Sequence, residues 1–204
     1  MARTGTWLGE LDVRRGPVGS AVFSACGRYR YELTRDLEAP ARLFGEAEAT
    51  RGTVCWVLAN PSVADEAVLD TTLTRCAGYS RAWGFSAMVV RNVLAYRATD
   101  PKVVVAAARD GADVVGPAND AYLARREGIE LVVVGWGAFG LVAARAPRVV
   151  ELLGRKDLYC LGRNRDGSPR HPLYLPASAE LEPFDPSARD GRAKVAAARS
   201  RAHR

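Results

Sequence analysis

Three short stretches carry the side chains that could do chemistry: Asn60-Pro61-Ser62 with Asp65, then Asn92, then His171-Pro172-Leu173-Tyr174. An asparagine amide offers a donor and an acceptor that can hold a water or match one edge of a nucleobase. An imidazole can donate to negative charge developing on a carbonyl, and His171 is the one histidine outside the C-terminal tail. Asp65 and Asp70 could activate a water. Each residue also has a plainer use: Asn60 can cap a helix, Asn92 can end a turn, His171 can satisfy a structural hydrogen bond, and the aspartates can simply be solvated. Trp136 could cover a planar ligand or sit in the core.

Gly135-Trp-Gly-Ala-Phe-Gly140 has the G-x-G-x-x-G spacing of a dinucleotide loop. It comes late in the chain, however, and the next predicted strand ends in Leu161-Gly162 where the ribose-binding acid should stand, so Gly135 and Gly137 are better read as a phosphate- or backbone-contacting turn. Arg163, Arg165 and Arg170 all precede His171 in the loop that leads to it and could meet phosphates. Cys26, Cys55, Cys76 and Cys160 form no Cys-x-x-Cys pair, and with two histidines there is no metal-ligand spacing, so neither a metal nor a cofactor is expected. No Walker lysine and no Gly-x-Ser-x-Gly elbow is present, which leaves nucleotide-triphosphate hydrolysis and acyl transfer unsupported.

These residues need elements to hold them. Thr53–Ala59, Ser86–Arg91, Leu131–Val134 and Leu158–Gly162 are apolar runs of the kind that form strands covered on both faces. Arg28–Leu33 alternates with aromatics, as a strand near a sheet edge would. Helical spacing recurs over Leu69–Trp83, closed by Gly84, over Pro101–Ala108 with Asp100 as cap, over Pro117–Glu127, and over Leu141–Leu153, where Pro147 could kink or split the helix. The alternation predicts an α/β fold in three layers, with a mainly parallel sheet of four to five strands between helices. Residues 1–19 read as an irregular arm, 20–186 as one α/β domain, and 187–204 as a basic Ala/Arg-rich tail. Asn60, Asn92, Gly135-Trp136-Gly137 and the His171 loop then all follow the carboxyl ends of strands, the edge where open α/β sheets bind ligands.

At 204 residues, with 48% hydrophobic residues, the chain has the composition of one globular domain. No apolar run approaches the roughly 20 residues that a spanning helix needs, and the N-terminus lacks a secretory pattern, so a cytoplasmic protein without membrane attachment is expected. The net charge of +6 suits a polyanionic partner, but Arg189, Arg192, Lys194, Arg199, Arg201 and Arg204 of the tail supply much of it.

The chain resembles an uncharacterised bacterial and phage domain family over about Cys26 to Leu175. The resemblance rests on Arg28-Tyr29, Leu58-Ala-Asn-Pro-Ser62 with Asp65, Asp70-Thr71 with Arg75-Cys76, Trp83-Gly84, Asn92, Arg97-Ala98-Thr99-x-Pro101, Asn119-Asp120, Gly135-Trp136-Gly137 and Pro169-Arg-His-Pro-Leu-Tyr174. More distantly, the order of Asn60-Pro61, Asn92 and His171-Pro172 is similar to that of the uracil-DNA glycosylase superfamily. Ser62 and Leu173 depart from that pattern. The second resemblance implies a glycosylase-like fold and hydrolysis of an N-glycosidic bond in DNA, the favoured partner, or in another nucleic acid or nucleotide. It casts Asn60 and Asp65 as holders of the water, Asn92 as the reader of the base and His171 as the donor to its carbonyl, with Pro61, Ser62, Trp136 and Tyr174 contacting the ligand. The alternatives are a non-catalytic nucleic-acid or nucleotide binder and an enzyme of free nucleosides or nucleotides in base modification.

Overall fold

The computed structural model describes residues 10–38, 51–154 and 157–186. Its strands are β1 (Leu11–Gly16), β2 (Gly19–Ser24), β3 (Arg30–Asp36), β4 (Arg51–Leu58), β5 (Phe85–Asn92), β6 (Ile129–Val134), β7 (Leu158–Cys160) and β8 (Glu182–Pro183). The helices are α1 (Thr71–Ala82), α2 (Pro101–Arg109), α3 (Asn119–Leu123) and α4 (Gly140–Leu152), with a short 3₁₀ turn at Pro172–Tyr174. Pro147 lies within α4 without breaking it.

All eight strands join one sheet in the order β1-β2-β3-β5-β4-β6-β7-β8. The expectation of a three-layer, glycosylase-like fold, with a mainly parallel sheet of four to five strands between helices on both faces, is thereby corrected. The sheet is mixed: β1-β2, β2-β3, β3-β5 and β7-β8 pair antiparallel, while β5-β4, β4-β6 and β6-β7 pair parallel. Two features caused the difference. Leu11–Gly16 lies in what read as an irregular arm, yet Gly16 pairs with Gly19 across Pro17-Val18 and closes a tight hairpin. Arg28–Leu33 read as an edge, yet β3 is flanked on both sides, by β2 and β5. The tail from residue 187 and the first nine residues lie outside the described residues.

The continuous apolar run of β4 has its physical reason in the central position. From Val54 to Leu58 both faces are buried. Trp56, Val54 and Leu58 pack with Leu73, Cys76, Ala77 and Tyr79 of α1, whereas Cys55 and Val57 pack with Val104, Leu123, Val142 and Val149 from α2, α3 and α4. The Trp56 indole donates to Ser80 Oγ at 3.0 Å, so its polar atom is satisfied inside the core. A third cluster stacks Tyr31 between Tyr29 and Tyr122.

Candidate active site at the carboxyl edge of the parallel strands

β4, β5 and β6 end side by side, and their following loops carry the chemistry-bearing residues. The β4 and β5 extensions stay zipped beyond the strands: Val93 N–H donates to Leu58 O at 2.8 Å and Leu94 N–H to Ala59 O at 2.9 Å. Asn60 projects from this edge. Its Nδ2 donates to Ala98 O at 2.8 Å and to Pro61 O at 3.1 Å, which fixes the amide's orientation. Among the described residues nothing donates to its Oδ1, so the amide presents an acceptor, the atom a positioned water needs. Pro61 is buried, and Ser62 Oγ donates to Thr99 Oγ1 at 3.3 Å.

Asp65 stands in the same loop but is turned into it. Its Oδ1 accepts from Ala67 N–H at 2.9 Å and Val68 N–H at 2.8 Å, and these two bonds hold its pKa below the usual carboxylate value. It builds the turn that presents Asn60. Two arginines of β3 clamp that turn from beneath: Arg30 Nη1 donates to Ala64 O at 2.7 Å, and Arg35 donates to Asp65 O at 2.9 Å and Glu66 O at 2.8 Å. Burial pushes the Arg30 pKa down to about 10, with Asp70 opposing that shift.

Asn92 ends β5 as expected, yet it is only 1% exposed. Its Oδ1 accepts from Arg30 Nη2 at 3.3 Å, and its backbone carbonyl accepts from Asn119 Nδ2 at 3.0 Å, so it lies in the floor beneath the edge. Trp136 is likewise interior, edge-on to Phe184 at 5.7 Å.

His171 caps the 3₁₀ turn, its Nδ1 accepting from Leu173 N–H at 3.4 Å. That bond places the proton of a neutral ring on Nε2, and burial lowers the pKa below 6.5, with Asp70 opposing. Asp70 is therefore the carboxylate that acts on both Arg30 and His171. It also caps α1, its Oδ1 accepting from Leu73 N–H at 2.9 Å. Tyr174, 77% exposed, sets its ring 5.8 Å from that of His171. The loop is anchored from α1: Arg75 donates to Leu175 O, and Tyr79 Oη donates to Pro176 O at 2.6 Å.

The glycines serve this loop. Gly137 N–H donates to Pro169 O at 2.9 Å and Gly135 N–H to Val57 O at 2.9 Å, so both amides are already used within the fold. A Cβ on Gly135 would sit 3.1 Å from Pro172 Cδ and 3.4 Å from Leu58 Cδ2. Gly135→Ala should push the His171 loop outward by a few tenths of an ångström and lower turnover about tenfold with little change in melting temperature, as steady-state rates beside a thermal melt would show. Arg163 is committed elsewhere, donating to Asp185 O at 2.6 Å and Pro183 O at 3.0 Å, while Arg165 and Arg170 are exposed.

The depressed pKa of His171 has a sign that can be tested. The unfolded chain takes up this proton at a higher pH than the folded chain, so the contribution is fully present above pH 6.5 and is lost as pH falls through the folded value. The melting temperature should fall as pH is lowered below about 6.5, and His171→Asn should flatten that part of the curve. An unchanged curve would show that His171 does not titrate differently in the two states.

A family model described as "Protein of unknown function (DUF1643)" matches residues 30–173, more than half of the chain and the edge from Arg30 to Leu173. The chain belongs to the DUF1643 family. No curated protein and no solved structure matches it, and the comparisons do not show the similarity to uracil-DNA glycosylases. The family match spans the clamp at Arg30, the Asn60 loop, Asp70 and His171. Among the described residues no group of three His, Cys, Asp or Glu side chains could hold a metal, and no helix is long and apolar enough to cross a membrane.

Sequence reasoning placed Asn60 and His171 at this edge and named Asp70 with Asp65 as a possible water activator, but it cast Asp65 rather than Asp70 in the site and missed Arg30. The signal for Asp70 was available in its spacing, one residue before a helix, but every N-cap aspartate has it.

Proposed function

We propose that this protein hydrolyses an N-glycosidic bond in a nucleic acid or nucleotide. The observation that carries the reading is the half-buried imidazole of His171, fixed by Leu173 N–H at Nδ1 and lying in the field of the Asp70 carboxylate, beside the exposed ring of Tyr174. Glycosidic cleavage asks little covalent work of a protein: the departing base must be relieved of charge, the sugar cation stabilised and one water placed. His171 Nε2–H donates to a carbonyl of the base as the C–N electron pair moves onto it. Asp70 faces the developing cation and takes a proton from the water, whose oxygen forms the new bond to the anomeric carbon, and Asn60 Oδ1 accepts a hydrogen bond from that water. The departing base takes up a proton from solvent. Tyr174 offers a face on which a base can stack, an interaction worth about 1–3 kcal/mol per base.

The burial of Asn92 favours a role in holding Arg30 over direct reading of the base. All four cysteines are free and three are buried, which suits the reducing cytoplasm as the place of action. The test is to incubate the protein with oligonucleotides carrying uracil, damaged or modified bases, and with free nucleosides and nucleotides, and to detect released base by mass spectrometry beside an Asn60→Ala control. Release that depends on Asn60 supports the reading. Binding without release from any of them would make the protein a recognition module.

A further inference from the structure

Beside the Asn60 loop the surface opens into a cavity of about 340 Å³ lined by Arg28, Ser62, Tyr96, Arg97 and Thr99 among others. We propose that this cavity binds a phosphate group of the substrate, at the two guanidinium groups of Arg28 and Arg97. The inference rests on the reading of the Asn60 edge as the substrate site, and it assigns the phosphate to residues other than Arg163, Arg165 and Arg170.

Three observations support it. First, none of the residues lining the cavity is acidic, and neither arginine has an ion pair among the described residues. Arg28 has the Cys26 thiol as its side-chain neighbour, and Arg97 Nη1 donates to Gly27 O at 3.0 Å while its Nε is buried without a partner. Two cations lining one small cavity repel each other unless an anion lies between them. Second, the chain is built to hold them there. Arg97 N–H donates to Arg28 O at 2.9 Å, tying the β2–β3 turn to the loop after β5, and the Arg97 guanidinium lies over the Phe23 ring at 4.7 Å. Third, the hydroxyls of Ser62 and Thr99 lie 3.3 Å apart on the same wall. Forked guanidinium donors with hydroxyls suit the tetrahedral oxygens of a phosphate.

The cavity also lies where a nucleotide would need it. Ala98, which lines it, accepts the hydrogen bond that orients Asn60, and Ser62 follows Asn60 by two residues. A sugar seated at Asn60 would thus have the cavity within reach of its phosphate.

The experiment measures binding of thymidine, thymidine 5′-monophosphate and a short single-stranded oligothymidylate to the full chain at several salt concentrations, for wild type, Arg28→Ala, Arg97→Gln and Asp70→Asn. Arg28→Ala alters an exposed side chain and guards against the case in which Arg97→Gln fails to fold. Each arginine variant is expected to weaken the phosphate-bearing probes about tenfold, to lower the salt slope by about one, and to leave thymidine unchanged. Asp70→Asn, by contrast, should keep phosphate binding while losing base release. Equal loss for monophosphate and oligomer identifies a free nucleotide as the source of the phosphate, and loss confined to the oligomer identifies a polynucleotide backbone. Wild-type binding of both phosphate probes by Arg28→Ala and by folded Arg97→Gln would overturn the proposal. Loss of phosphate binding in the arginine variants, with no base released by the wild type from any of the oligonucleotides, nucleosides and nucleotides of the release assay above, would retain the cavity's role and overturn the hydrolase.

Discussion

Asp70→Asn and His171→Asn are each expected to lower the rate of base release about a hundredfold, equivalent to roughly 3 kcal/mol of barrier, while the fold survives. The substitutions are chosen so that the structural role of each side chain is kept. Asparagine is as good an N-cap as aspartate, so the bond to Leu73 N–H that starts α1 is retained at position 70 and only the charge is removed. At position 171 an asparagine oxygen can still accept from Leu173 N–H, but the side chain stops short of the place occupied by Nε2–H. A loss of turnover with an unchanged melting curve therefore reads chemistry rather than folding. Wild-type rates in both variants would sink the assignment of this pair as acid and base.

The second large effect concerns Arg30. The residue is 2% exposed and lies on an interior strand, and its guanidinium is held by Ala64 O and Asn92 Oδ1 rather than by a carboxylate at hydrogen-bond distance. Arg30→Ala should cost about 3–5 kcal/mol, because it opens a cavity and strands the Ala64 carbonyl beneath the Asn60 loop. In a chain of this size that is a fall of about 10 °C in the melting temperature. Arg30→Met fills most of the same volume and removes a charge that burial disfavours, so its cost should be less than half as large. Both variants should lose turnover, since each releases the clamp on residues 64–67. Equal destabilisation by Ala and Met would show that the hydrogen bonds to the loop, rather than filled volume, dominate.

Local chemistry along the chain was enough to reveal a good part of this molecule. The apolar runs at 86–91 and 131–134 lie in β5 and β6, and those at 53–59 and 158–162 cover most or all of β4 and β7 and overrun them by one and two residues, because a strand covered on both faces must be apolar at consecutive positions. Asp100 with Pro101 started α2, and Gly84 followed the end of α1 with a φ of 79°, because caps and left-handed turns are decided by single residues. Asn60 and His171 stood out because each follows such a strand or its loop.

What lay beyond the sequence was decided by partners distant along the chain. An apolar run shows that a strand is buried but not which way its neighbour runs, so the antiparallel half of the sheet and the β1–β2 hairpin were invisible in composition and period. Arg30 sat in an alternating stretch where an arginine normally faces water, and only the loop folding over it from residues 64–67 buries it. Asp65 had the same local claim as Asp70, but Asp65 is consumed by its own turn while Asp70 reaches the field of His171 about a hundred residues away. Residue types and spacing by themselves determined the central strands, their carboxyl edge and the presence there of Asn60 and His171; packing alone decided the mixed sheet, the buried clamp and which carboxylate lies in the field of the imidazole, because burial and electrostatic environment are properties of the assembled chain.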